Sequence, residues 1–242
     1  KVLSAAQATT TTFTLSYAPA PADNPLKGFM PYAGSYSTFP HSTEWFYIPL
    51  KDIQTDYNTF NWEVLDSYLS AIAGRGHQAV FGVYIDYPNK PYGMPAFLSS
   101  VPKHAYSDYG NGTRATSYCP DYSNANLQKA ILNFIAALGR RYDNDPRIGF
   151  IHTGLLGFWG EWHTYPHNEW MASPTFMNQV LDAFENAFPN TLIMLREPKN
   201  GVNSNRPRLG FHDDSFAYET LGPTEWHFWP KMKAAGLQNC WT

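Results

Sequence analysis

Two tryptophans enclose a carboxylate in the run Gly157-Phe158-Trp159-Gly160-Glu161-Trp162-His163. Indoles on both sides exclude water from a carboxyl group, which raises its pKa and suits it to general-acid work. An indole is also a flat apolar platform with one N–H, a good match for the face of a sugar ring. The run follows an apolar, β-prone stretch, Ile148–Leu156, so Glu161 and His163 fall just past a strand. Hydrolysis of a glycosidic bond needs two carboxyl groups, about 5–5.5 Å apart for retention and about 6.5–9.5 Å apart for inversion. Glu161 is the candidate acid/base. Candidates for its catalytic partner also follow apolar runs: Glu197 after Thr191–Leu195, and Asp213 and Asp214 after Leu209–His212. Adjacent residues of extended chain point opposite ways, so only one of Asp213 and Asp214 is expected to face the cleft. Arg196, next to Glu197, either orients or neutralises it. Candidate sugar contacts are Trp159, Trp162, Trp170, Trp226 and Trp229, with Trp162 foremost, and the polar His163, His212 and Asp86.

Other chemistries leave weaker traces. His152, His163, His167 and His212 with Asp213 and Asp214 offer a metal alternative, a zinc-dependent polysaccharide deacetylase built on the His163-x3-His167 pair. Pro166 lies between those two histidines and opposes the helical turn they would need. No metal or other cofactor is therefore expected. There is no Gly-x-Ser-x-Gly elbow, and neither cysteine has a reactive setting, which disfavours serine or cysteine nucleophiles.

With 242 residues, 43% of them hydrophobic, the chain can bury a sizeable core. Aromatics reach 17%, while charged residues are 15%, below the roughly 25% of typical domains. That profile fits a secreted carbohydrate-active protein, and equally a large aromatic core. The net charge of −3, with Lys and Arg scattered, argues against nucleic acid. No apolar run approaches the roughly 18 residues of a membrane span. Asn111-Gly112-Thr113 is a glycosylation sequon, and Cys119 and Cys240 are a candidate disulfide pair, both in keeping with an extracellular setting. Residues 1–6 lack a complete signal peptide, so secretion would mean that one has already been removed.

The elements that position these residues alternate. Residues 1–24, rich in Ala, Thr and Pro, read as an extended lead-in with one strand at Thr12–Tyr17. Residues 25–242 read as a single domain. Strands are expected at Gly28–Tyr32, Trp45–Pro49, Ala79–Ile85, Ile148–Leu156, Thr191–Leu195 and Leu209–His212. Helices are expected from the Asn61 cap to Gly74, over Asn124–Tyr142, from the Ser173-Pro174 cap, and over about Glu225–Ala235. A long loop, about Asp86–Tyr122, interrupts them, and such loops are functional or locally structured. Alternation of this kind implies a parallel sheet, and no glycine-rich phosphate loop follows the first strand. The fold class is therefore α/β, a (β/α)8 barrel present here as about six βα units. In such barrels active residues gather just after the strands, where Asp86, Glu161, Glu197 and Asp213 fall. The chain stops where a seventh strand is due. Three readings follow: the chain is a fragment, a second chain or segment completes the barrel, or the strand count is off.

Asn24-Pro25-Leu26-Lys27-Gly28-Phe29, the helix and strand of residues 61–88, and the segment Gly154–His163 together resemble the DUF4832/DUF4874 family. The resemblance runs from about residue 24 to about 235, and its members look like glycoside-hydrolase-type (β/α)8 barrels from bacteria and fungi. It implies that Glu161, after the fourth strand, takes the acid/base position of the large retaining clan. That clan's nucleophile glutamate follows the seventh strand, and the family's Gly-Gly-Glu-like segment is absent here. The expected function is secreted hydrolysis of a polysaccharide or oligosaccharide. The alternative is a carbohydrate-binding barrel without the second carboxylate, or a fragment of a larger glycosidase.

Overall fold

A computed structural model describes residues 26, 29–108, 115–214, 218 and 220–237. The lead-in of residues 1–24, the sequon at Asn111 and Cys240 lie outside the described residues. In chain order the elements are β1 (Thr43–Pro49), β2 (Gln54–Asp56), β3 (Thr59–Phe60), α1 (Glu63–Ala73), β4 (Gln78–Tyr84), β5 (Lys103–Tyr106), β6 (Ser117–Pro120), α2 (Ala125–Tyr142), β7 (Ile148–His152), α3 (Pro174–Ala187), β8 (Leu192–Leu195), β9 (Leu209–Phe211) and α4 (Phe228–Ala234).

Five strands form one parallel sheet in the order β1-β4-β7-β8-β9. Their order in space is their order in sequence, so the sheet winds one way, whereas a dinucleotide-type sheet reverses direction. Strand alternation sorts the side chains between two faces. On one face Phe46, Ile48, Phe81, Val83, Ile151, Ile193, Leu195 and Phe211 join the buried stripes of the four helices in one core. On the other, Val80, Phe150 and Met194 form a separate small cluster with Met30 and Trp45. Helices on one face of a singly wound parallel sheet make the wall of a (β/α)8 barrel, and this chain builds an incomplete one. The expected strand at Gly28–Tyr32 is, among the described residues, a single parallel bridge from Tyr32 to Trp45.

The helices form where side chains dictate. The Asn124 side chain accepts the amides of Asn126 and Leu127 and starts α2. Ser173 accepts the Phe176 amide, with Pro174 at the first position of α3. Asn61, the expected cap of α1, sits one residue outside the observed cap, Trp62, yet its side chain still accepts the Glu63 amide. The ends of α2 and α3 touch at Gly139, where a Cβ would lie 2.3 Å from the Ala187 carbonyl oxygen. Among the described residues no helix is long and apolar enough to cross a membrane.

The expected long loop after β4 is folded. It carries the antiparallel pair β5 and β6, and Asp86 joins that pair to the end of β4. Asp86 is 1% exposed and accepts a 2.8 Å hydrogen bond from the Tyr106 hydroxyl. Burial pushes its carboxyl up to about 7, against the hydrogen bonds of Tyr106 and Cys119. The reading of Asp86 as a sugar contact is thereby corrected: it is sealed in a joint between elements. Cys119 is also buried there, on β6.

Candidate active site

The third strand of the sheet, β7, ends at His152 rather than running on to Leu156. Gly154, Leu155, Gly157, Trp159, Gly160 and Trp162 all have positive φ, a conformation no strand contains. The chain instead folds back on itself. The Phe158 amide donates to the His163 carbonyl at 2.8 Å and the Trp162 amide to the Leu156 carbonyl at 2.9 Å. The closure requires glycine at 157, since a Cβ there would lie 2.5 Å from the His163 carbonyl oxygen. Trp159 and Trp162 hold the left-handed conformation with bulky side chains, at about 1–3 kcal/mol each. Packing offsets this at Trp162, which is 1% exposed and donates its indole N–H to the Gly154 carbonyl at 2.9 Å. The result is that Glu161 borders a cleft.

The cleft has a volume of about 1820 Å³. Its inner wall is the face of the sheet that carries Trp45, Tyr47, Phe150, His152 and Met194. At the carboxyl ends of the strands it is bordered by Trp159, Glu161, His163, Arg196, Glu197, Lys199, His212, Asp213 and Asp214, with Trp226 and Lys231 beside them. This is the end of the sheet where barrel enzymes keep their chemistry.

Four carboxyl groups meet there under opposite influences. Glu161 is hydrogen-bonded to Asp214. Burial, then the Asp214 charge, then that hydrogen bond hold Glu161 well above the usual carboxylate range, so it keeps its proton. Burial acts on Asp214 in the same sense, but His212, Arg196 and the Glu161 hydrogen bond outweigh it and hold Asp214 far below that range. His212 Nδ1 lies 2.8 Å from Asp214 Oδ1, and Arg196 Nε lies 3.3 Å from Asp214 Oδ2. The pair is thus one neutral acid facing one carboxylate. Asp213 contacts Arg196 at 3.3 Å and accepts from Thr220. Glu197 is tied to Lys199 and Lys231; its burial is outweighed by those two cations, and its pKa falls. His163 Nε2 sits 3.4 Å from Glu161, and burial with nearby Lys199 lowers its pKa to about 4, leaving it neutral.

Several expectations change. Asp213 and Asp214 both border the cleft, because the chain leaves its strand after Phe211 and strict alternation ends there. Arg196 serves Asp213 and Asp214, and Glu197 is neutralised by lysines instead. Trp162 is a buried wall of the cleft and offers no sugar platform; of the expected indoles the half-buried Trp159 and the exposed Trp226 border the cleft. Trp170 stacks between His104 and His167, and Trp229 packs against the core. The His163 and His167 pair of the metal alternative does not converge: His163 pairs with Glu161, and His167 lies 2.9 Å from Asp108. Among the described residues the His/Cys/Asp/Glu group whose ligand atoms do converge is His41, Glu44 and His77. It lies at the amino end of β1, and Glu44 is already engaged by Arg75 at 2.8 and 2.6 Å and by the Gly34 amide at 2.7 Å.

Sequence reasoning missed Trp45 and Tyr47, although their alternation with Phe46 and Ile48 marks a second strand face. It also missed Lys199 and Lys231, which have no distinguishing signal in the sequence.

No family profile and no curated protein matches the chain. Among solved structures it is similar to endo-glycoceramidase II from Rhodococcus sp., described in complex with a cellobiose-like isofagomine, at 10% identity and a TM-score of 0.48, covering 70% of this chain and 48% of that one. It is also similar to endoglucanase Cel5A from Pseudomonas stutzeri, at 14% identity and a TM-score of 0.44, covering 82% of this chain and 57% of that one. The chain spans about half the length of the first of these.

Proposed function

We propose that this chain carries the cleft of a glycoside hydrolase acting on a polysaccharide or oligosaccharide, with Glu161 as general acid and Asp214 as the second carboxylate. The observation that carries the reading is the convergence of Glu161 and Asp214 at the strand ends of a barrel wall lined with aromatic rings, with His212 and Arg196 on Asp214 and surroundings that push the Glu161 carboxyl up and the Asp214 carboxyl down. Glu161 gives its proton to the departing glycosidic oxygen. Asp214, held by His212 and Arg196, then meets the positive charge developing at the anomeric carbon, as nucleophile or through a water. Entry of the glycoside between the two carboxyls is expected to reset their contact, since catalytic contacts commonly rearrange when substrate enters. The resemblance to DUF4832 barrels, the sequon and the low charge support an extracellular glycosidase of that kind.

A second reading, a carbohydrate-binding cleft without hydrolysis, is favoured by one observation. The other two carboxylates of the cleft are each neutralised by a cation, Asp213 by Arg196 and Glu197 by Lys199 and Lys231. A panel of nitrophenyl glycosides and soluble polysaccharides separates the two. The hydrolytic reading expects turnover of at least one substrate, with Glu161→Gln and Asp214→Asn each lowering kcat by about 10²–10⁴-fold. A Glu161→Gln protein as fast as the parent removes Glu161 from the chemistry. Binding of sugars without any turnover leaves the second reading.

A further inference from the structure

His152 ends β7 and borders the cleft from the inner face of the sheet. It is 6% exposed, and neither Nδ1 nor Nε2 has a hydrogen-bond partner. Its ring lies parallel to that of His212, with centroids 3.7 Å apart and 6° between planes, and His212 is fixed in turn by Asp214. Gly82 keeps the neighbouring space open. A Cβ there would stand 3.3 Å from the His152 Cβ and 2.9 Å from the Tyr47 ring. A buried polar atom without a partner destabilises the fold, and this imidazole carries two. Such a cost is expected where a ligand supplies the missing partner. Burial, reinforced by His212, holds the His152 pKa well below its usual value, so the ring is neutral, with one N–H and one lone pair. A hydroxyl can both donate and accept, and so answers either nitrogen; a carboxylate or sulfate can only accept.

We propose that His152 is a specificity-determining residue that exchanges a hydrogen bond with one hydroxyl of a neutral sugar ring, held between the inner face of the sheet and the Glu161–Asp214 pair. This rests on the carbohydrate reading of the cleft, though not on hydrolysis. The test uses the Glu161→Gln protein, titrated with neutral mono- and disaccharides and with the monodeoxy analogues of the tightest binder. Binding is read by calorimetry and by imidazole nitrogen NMR. One monodeoxy analogue is expected to bind about tenfold or more weakly. The His152 nitrogen resonances shift with the parent sugar and not with that analogue. Adding His152→Phe makes the two sugars bind alike, while His152→Gln, which keeps a donor and an acceptor, retains part of the preference. The NMR shift on unsubstituted His152 stands even if the Phe variant does not fold. Resonances unmoved by a bound sugar, or a preference that survives in His152→Phe, overturn the proposal. Sugar bound through His152 without turnover by the parent protein supports it and removes the hydrolytic reading. Failure of every sugar to bind overturns both.

Discussion

At Glu161 and Asp214, two side chains with the same functional group are driven to opposite protonation states by their surroundings. One is half-buried and faces a negative charge; the other is more exposed and faces a histidine and an arginine. Hydrolysis needs the first protonated and the second ionised, which fixes the sign of its pH dependence. As pH falls through the lowered Asp214 pKa the base is lost, and as pH rises through the raised Glu161 pKa the acid is lost. The profile of kcat/KM is therefore a bell whose acid limb lies below the usual carboxylate range and whose alkaline limb lies above it, both limbs belonging to the coupled pair. In Asp214→Asn residual activity the alkaline limb moves to lower pH, because a charge opposing Glu161 ionisation is gone. A limb that stays in place would show that Asp214 does not set the Glu161 proton affinity. Glu161 was legible in the sequence because two indoles flank it. The choice between Asp213 and Asp214 was not, since Arg196 reaches both and it is His212 and Glu161 that single out Asp214 after the chain leaves β9.

The elements show where periodicity informs and where it fails. The helices α1, α2 and α3 follow their apolar spacing and their caps, and both kinds of signal are local. The 154–163 loop defeats the same reasoning. Its residues are apolar enough for a strand, and the glycines that bend it set the backbone, not the hydrophobic pattern. The β5–β6 insertion was legible only as a long segment, because the buried carboxyl that ties it to β4 looks like any strand-end aspartate. That joint has a thermodynamic signature. A carboxyl raised to about 7 when folded binds its proton more tightly in the folded state than in the unfolded chain. Its contribution is fully present below about pH 4 and is lost as pH rises through about 7, with a slope of up to about 1.4 kcal/mol per pH unit. Asp86→Asn is expected to flatten the fall in stability across that window, measured as urea midpoints at a series of pH values. An unchanged slope in the variant would mean that Asp86 is not the titrating group.

Across the whole molecule, the strand order could be read from the alternation of elements, and the one-sided placement of the helices follows from it. The inner face could be read only at Trp45 and Tyr47, because in β4, β7 and β8 the neighbours Val80 and Phe81, Phe150 and Ile151, and Ile193 and Met194 are alike apolar and only register separates the faces. That register links strands at very different distances along the chain. Ala79 pairs with Ile148, across the whole β5–β6 insertion and α2, while Ile193 pairs with the nearby Leu209. The entropy of closing a loop grows with the logarithm of its length, so the first pairing carries about 1 kcal/mol more than the second before any contact forms. The sheet is therefore expected to assemble from its far edge inward. In pulse-labelled hydrogen exchange during refolding, the His212 amide, bonded to the Leu195 carbonyl, gains protection before the Ala79 amide, bonded to the Arg147 carbonyl. The reverse order would show that loop length does not govern assembly. Strict sequential winding thus gives the chain a direction in time as well as in space: the edge that carries Asp214 is in place before the wall that carries Glu161 has closed against β4.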